Sequence, residues 1–515
     1  MPDLSQVQPT AFNCQGGLVL NRSTFMMQPG EALELENFEP DIEGGYRRIN
    51  GFSKYVNAVV PQTSSSTEKI LMVATFGDLV VAARGEKIFS ATAGGSSWTE
   101  ADSGRTNAGT YSFERFNFDG NDKLVVVDGA NAPAVFPSDM GTPTDVSDSS
   151  VSGAKFVTSF KNHMFYAGMS STPQELVHSE GFNEDGFSSG ATLPAGSIKV
   201  DDTIVGLKTF REDLFVFCEN RIFKITGSSG TGGDAFSVVP VTRKIGCING
   251  STIQEFAGDL IFLGPDGLRT VAGTARIGDV EIGTISSNVQ SIFDENLSSA
   301  SEFHSVVIPD RSQYRIFFTK SGTLQSSTTG VTCVLKGQTF EFSELRGIKP
   351  ASTDSFVKAG DVIVLHGDYS NGYVYRQESG NTFDGSPILA KYRSPDLTFG
   401  DAGIRKHMQR VIVNFKPEST IDADLFLRYD YESKDAPRPA AYELDSGDIA
   451  ATYGTTTYGT TSSVIGTYGG ASQPLFRQSV EGSGFAVALR VNDGGETPPY
   501  SLKGFQLEYQ VGARR

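Results

Sequence analysis

The sequence predicts an all-β protein whose central part is a β-propeller-like ring of about six or seven blades. Three observations predict it. The chain is rich in glycine and phenylalanine, 57 and 36 of its 515 residues, with a single Trp. Its apolar residues come in short runs between turn signals, the pattern of many strands and many tight turns. A loose unit also recurs at the ~40–50-residue interval of a four-stranded blade.

That unit is a polar turn, an apolar strand, a second turn and a second strand. It appears as GDLVVAARGEKIFSA from Gly77, NDKLVVVDGANAPAVF from Asn121, NHMFYAG from Asn162 and EDLFVFCENRIFKITG from Glu212. It returns as GDLIFLGPDGLRTVAG from Gly258, SQYRIFFTKSG from Ser312 and GDVIVLHGDYSNGYVY from Gly360. The residues heading these strands are Asp78, Lys123, His163, Asp213, Asp259, Gln313 and Asp361, spaced 40 to 54 residues apart. The matches are of pattern, and they place the ring over residues 61–385. Ordinary hairpins in β-sandwiches are the alternative.

The two ends differ from this middle. Residues 1–60 contain no comparable hairpin and are broken by Pro29-Gly30 and Glu43-Gly44-Gly45. They read as an extended arm and platform segment with one helical turn near Glu31–Asn37. Residues 386–515 carry long alternating strands: Val411, Val413, Phe415; Leu425, Leu427, Tyr429; Phe485, Val487, Leu489, Val491; Phe505, Leu507, Tyr509, Val511. Period-two alternation means one buried and one wet face, hence a separate antiparallel β-domain. An insert at 451–470, ATYGTTTYGTTSSVIGTYGG, is of low complexity. Its Tyr453, Tyr458 and Tyr468 suit a loop that orders against a partner or a gate, or a surface loop with no partner.

No catalytic or ligand-binding motif stands in the sequence, and the chain is expected not to be an enzyme and to need no cofactor or metal. No phosphate-cradling Gly-rich loop with its lysine, no H-E-x-x-H and no G-x-S-x-G elbow is present. The five histidines are scattered singly. Cys14, Cys218, Cys247 and Cys333 form no C-x-x-C pair and read as free buried thiols. Gly94-Gly95-Ser96-Ser97-Trp98 resembles the end of a sialidase Asp-box without its aspartate, and reads as a turn between blade strands. The Asp-rich stretches Asp119–Asp122 and Asp368–Asn371 read as turns rather than cation sites. The remaining conspicuous charges are Glu114, Arg115, Arg47 and Arg48. Arg47-Arg48 is either a solvated strand end or a docking element for an acidic ring.

With 43 Lys and Arg against 60 Asp and Glu, the net charge is −17. A surface that grips nucleic acid through phosphates is usually basic, so such a surface is excluded on balance. A conduit is different. An acidic wall repels DNA at short range, within ~8 Å at physiological salt, and adds no friction. Solubility alone is the plainer account of the charge. No signal peptide and no membrane-spanning run is expected.

The order of these features resembles a family. Gly16-Gly17, Pro29-Gly30-Glu31-Ala32, Asn37-Phe38 and Gly45-Tyr46-Arg47-Arg48-Ile49-Asn50-Gly51-Phe52 look like the start of phage tail proteins. Val205–Asp213 and Lys244-Ile245-Gly246-Cys247 are similar to the packaged-DNA stabilisation proteins of short-tailed phages. Ser501–Tyr509 resembles their closing strand. The resemblance implies a tail nozzle, or hub: a homo-hexamer below a tail adaptor ring, docking fibres or spikes at its side. Genomic DNA would pass through the channel without sequence-specific binding. The chain would be made in the host cytoplasm and reside in the virion tail. Arg47, Arg48, Phe505 and Tyr509 are then candidate contacts to the adaptor. The competing expectations are a receptor- or glycan-binding propeller at the tail tip, and a propeller glycosidase, which would need a convergent acid pair.

Overall fold

The computed structural model describes residues 7–62, 69–107, 109–228, 235–271, 284–418, 421–445 and 475–514. Six small antiparallel sheets stand in a ring, a six-bladed propeller arrangement. Blades 1 to 4 each have four strands, within residues 72–103, 112–145, 156–199 and 204–242. Blade 5 has three, within 254–270. Blade 6 is built from Pro350–Lys358, Asp361–Asp368 and Val374–Gln377, and is completed by Phe52–Lys54 from far upstream.

Between blades 5 and 6 the circuit is filled by a limb of four strands, Glu302–Ile308, Gln313–Thr319, Thr329–Lys336 and Thr339–Arg346. This limb does not end at the ring. Its outer strand pairs with Glu34–Glu36 and so continues into a nine-stranded sheet that reaches the C-terminal domain. The seven recurrent sequence units therefore mark the second strand of each sector. Six head strands of the small sheets, and Gln313 heads the second strand of the limb. Several of the preceding turns need left-handed backbone, as at Lys161 (φ 47°) and Asn162 (φ 63°). A two-residue hairpin of this hand matches the twist of its strands.

The C-terminal domain is a sandwich. One sheet contains Tyr500–Arg514, Ile404–Pro417, Leu475–Ser479 and the hairpin Phe38–Pro40/Tyr46–Arg48, with Gln8–Asn13 added at an edge. The facing sheet contains Ala390–Arg393, Val487–Asp493, Asp422–Tyr429 and Tyr442–Asp445. The expected alternating strands form, and their apolar faces meet. The Tyr392 ring of one sheet stacks on Phe505 of the other at 5.7 Å, and within the latter sheet Phe415 meets Tyr500 edge-on at 5.4 Å. The same core runs through Tyr314, Phe318 and Phe342 of the limb to Leu263 of blade 5. Sandwich and ring thus share apolar packing, and burial of this size dominates folding.

Residues 7–60, read from the sequence as an extended arm and platform segment, are built into the fold. They supply strands to the sandwich, the nine-stranded sheet and blade 6 in turn. The stretch expected as a helical turn near Glu31–Asn37 contains the strand Glu34–Glu36, and the one-turn helix lies earlier, at Thr24–Met26. The reason is local. Leu35 is buried while its neighbours reach water and pair across the sheet, Glu34 with Arg490 at 3.3 Å and Glu36 with Lys391 at 3.3 Å. That is a strand's period of two. The ring accordingly begins at Phe52 and not at residue 61, and the limb blurs the division at 385.

Candidate functional site

The first strand of each sector faces its neighbours around the axis, and polar side chains join them there. Asp354 of blade 6 accepts from the Thr75 backbone N–H and hydroxyl of blade 1, both at 2.8 Å, and from Arg115 of blade 2 at 2.5 Å. Arg115 also donates to the Thr75 carbonyl. Glu114 accepts from the Ser159 hydroxyl of blade 3 at 2.6 Å, and the Ser159 carbonyl accepts from Thr209 of blade 4 at 2.7 Å. The Ser305 carbonyl of the limb accepts from Gln254 of blade 5 at 3.2 Å and from Thr353 of blade 6 at 2.8 Å. A strand has only two faces. Consecutive residues such as Glu114 and Arg115 therefore reach opposite neighbours, one towards blade 3 and one towards blades 1 and 6.

This belt surrounds two axial cavities, of ≈ 640 and ≈ 210 Å³. Both are lined by Phe113, Gln254 and Thr353, which mark the level between them. The larger cavity also receives Glu114, Arg115 and Lys208. Burial raises the Glu114 pKa above the ordinary carboxylate value, although Ser159, Lys208 and Arg115 act against it. Glu114, Arg115 and Asp354 are each tied to a neighbouring blade, so what the arrangement does chemically is hold adjacent blades in register.

A second charged cluster sits where the N-terminal segment, the limb and blade 6 meet. Glu39 takes Arg311 at 2.6 Å and Arg315 at 2.9 Å, and Glu378 takes the same two guanidiniums at 2.7 and 2.6 Å. Burial works against the Glu39 carboxylate, but Arg311, Arg315 and Arg47 outweigh it and hold its pKa below the ordinary value. Arg47 lies at the rim of this joint and forks onto Glu418 at 2.7 and 3.0 Å, beside a cavity of ≈ 390 Å³. Nothing in the linear sequence signalled Glu39, Arg311, Arg315 or Glu378, because Glu39 lies 272 and 276 residues from its two arginines and Glu378 belongs to a different sector from both.

The four candidate adaptor contacts separate. Arg47 keeps some contact with solvent. Arg48 is fully buried beside Asp493, at 3.2 Å, and donates to the carbonyls of Thr497 and Gly495. Phe505 and Tyr509 are buried in the sandwich core. These three side chains are buried in the chain's own fold. Arg48 is not a solvated strand end either. Residues 46–48 alternate inward and outward, and the second arginine falls on the inward face. Tyr453, Tyr458 and Tyr468 lie outside the described residues.

The remaining sequence candidates resolve locally. All four cysteines are free and buried. The segment ending at Trp98 is the turn between the third and fourth strands of blade 1, and its indole N–H donates to the Ala58 carbonyl. Asp119 and Asp368 accept from backbone N–H groups two or three residues ahead, as turn aspartates do. Two of the scattered histidines come together: His163 and His178 lie 5.3 Å apart and both contact the Ser179 carbonyl. Among the described residues no three His, Cys, Asp or Glu side chains are grouped to hold a metal ion, and no helix is long and apolar enough to cross a membrane.

No family model matches the chain, and no curated protein sequence matches it. Solved structures with which it shares a likeness include the computationally designed Ika8 protein, at 8% identity and TM-score 0.36, covering 63% of this chain and 99% of that one. The AfRom2 CNH domain follows at 11% identity and TM-score 0.39, covering 63% and 98%. Raptor from Chaetomium thermophilum matches at 9% identity and TM-score 0.41, covering 69% and 30%. These likenesses carry no functional argument.

Proposed function

We propose that this chain is the nozzle subunit of a short-tailed phage. Six copies would form a ring under the adaptor, retain packaged DNA, dock fibres or spikes and open for ejection. The observation that supports this reading is the continuity of sandwich and propeller. Residues 7–54 thread both parts, and the limb belongs to the ring and to the nine-stranded sheet at once. A subunit that carries load between an upper attachment platform and a lower conduit needs such a joint, because a flexible linker would let the two parts move independently. The net charge of −17 suits a wall that DNA slides past. The family-like segments described above run in the same order along the chain.

The test is electron-microscopic averaging of the purified chain at high concentration, with mass measured on the same sample. The expected particle is a six-fold ring of about 330 kDa, six times 55.2 kDa, with an axial bore. A closed trimer without a bore overturns the reading. A monomer that binds host glycan through the propeller replaces it with the tip-adhesin reading.

A further inference from the structure

We propose that copies of this chain join head to tail by strand addition. The strand Gln8–Asn13 of one copy would pair with Leu475–Ser479 of the next. This contact rests on the ring-forming part of the preceding proposal and not on the passage of DNA.

Four strands of the sandwich lie side by side at one level, so that their residues form continuous rungs. One rung is Thr10–Leu507–Val411–Gln478, the next Ala11–Gln506–Ile412–Arg477, and the next Phe12–Phe505–Val413–Phe476. Gln8–Asn13 and Leu475–Ser479 are the two outer strands of this strip, and neither has a further partner strand among the described residues. Each pairing in the strip is antiparallel, so the two outer strands run in opposite directions. A second copy placed alongside therefore continues the antiparallel alternation.

Hydrogen-bond phase agrees with polarity. Cys14 donates its backbone N–H to Lys503 across the inner pairing. By alternation, residues 10 and 12 also bond inward, while 9 and 11 turn their backbone groups to the open edge; the edge closes at Asn13, whose carbonyl lies against Gly30. On the other side Val480 donates to Gln409, so 476 and 478 bond inward and 475, 477 and 479 turn outward. The outward residues Ala11 and Arg477 stand on the same rung. Edge-to-edge addition at that level pairs 11 with 477 and sets Phe12 against Phe476, both half-buried on the same face.

Pro9 falls on an outward position, where it costs the inner ladder nothing; its pair with residue 479 would carry one hydrogen bond, which leaves the 11–477 pair as the one fully bonded centre of the contact. Phe25 and Met26, 61% and 71% exposed, stand in the segment that borders this edge, with Phe25 beside Thr10 and Phe12. An open strand edge next to exposed apolar side chains is a site natural proteins cover. The contact is heterologous: one edge meets the other and never itself. Repetition closes a ring when the rotation per copy divides the circle, and otherwise gives an open filament.

The experiment uses the full chain with Thr10→Cys and Gln478→Cys together. The contact would make these a non-hydrogen-bonded pair with Cα atoms about 4.5 Å apart, within disulfide range. Within one copy the same residues are three strand spacings apart, about 14 Å, and cannot bridge. Mild oxidation is expected to give a covalent ladder up to the full ring on a denaturing gel, and Thr10→Cys alone no covalent dimer. Ala11→Pro removes an outward N–H without touching the inner ladder, and is expected to dissociate the oligomer while the thermal melting temperature stays within a few degrees. An oligomer that yields no ladder overturns this contact and leaves the ring reading standing. A dimer from Thr10→Cys alone, or a chain that stays monomeric at high concentration, also overturns the contact; assembly on the adaptor would remain open to the nozzle. A cross-linked closed trimer supports the contact and overturns the nozzle.

Discussion

Arg48 and Asp493 form an ion pair, Nε to Oδ2 3.2 Å, in which both side chains are wholly withdrawn from solvent. It binds the N-terminal hairpin to the strand Val487–Asp493 of the facing sheet. Burial pushes the Asp493 pKa up, and Arg48 pulls against that shift. Arg48→Met leaves Asp493 buried and unpaired, and removing one partner of such a pair costs about 3–5 kcal/mol. Urea unfolding is expected to show that loss, and Arg48→Met with Asp493→Leu to recover much of it. Equal stability of the single variant and the parent would show the pair to be dispensable.

His366 should make the ring sensitive to acid. It is fully buried, neither of its ring nitrogens has a hydrogen-bond partner, and it meets Phe52 edge-on at 5.1 Å where the N-terminal strand closes blade 6. Burial lowers its pKa to about 3. A histidine depressed in the folded state contributes stability that is complete above its unfolded pKa of about 6.5 and falls away as pH drops towards the folded value. At pH 5 the loss is about 2 kcal/mol. His366→Phe is expected to remove this component from the pH profile of the unfolding midpoint, with pH 7 stability kept or improved. An unchanged slope between pH 7 and 5 would assign the acid sensitivity elsewhere, the His163–His178 pair first.

Asp354 is the keystone of the axial belt, taking hydrogen bonds from two other blades. Asp354→Ala leaves the Thr75 N–H without its acceptor, while Arg115 keeps the Thr75 carbonyl, at about 1–3 kcal/mol. The predicted signature is local. Backbone amides of Met72–Phe76 exchange hydrogen faster, while those of the sandwich strand Tyr500–Arg514 keep their protection. Uniform acceleration in both places would refute a local role.

The four thiols are expected to be inert in the native state. Burial raises Cys14 and Cys247 to about 12 and Cys218 and Cys333 further. The reactive thiolate is then scarce at pH 8. An aromatic disulfide reagent should modify all four only at the rate of global unfolding, and rapid labelling of any one would show a local opening beside it.

The repeat was legible because each second strand is an apolar run headed by a tight polar turn, and both signals are local in sequence. The alternating strands near Val411, Leu425 and Phe505 were legible for the same reason. The belt and the joint were not. Asp354 and Thr75 lie 279 residues apart, as Glu39 and Arg315 lie 276 apart, and composition carries no record of such partners. The Arg47-Arg48 signal was visible as a pair of charges. Which of the two faces inward depended on the phase of a three-residue strand against a sheet formed by the other end of the chain.

By itself the sequence determined the strand content, the blade period and the antiparallel, one-face-buried character of the C-terminal strands, since these follow from turn chemistry and period-two patterning. Only the tertiary structure decided that residues 7–54 are strands woven through ring and sandwich, that one of seven repeats opens into a nine-stranded sheet, and that Arg48 is core. Strand pairing joins segments without regard to their separation in sequence. A short strand becomes stable only when its partner edge is already in place, and no local pattern names that partner.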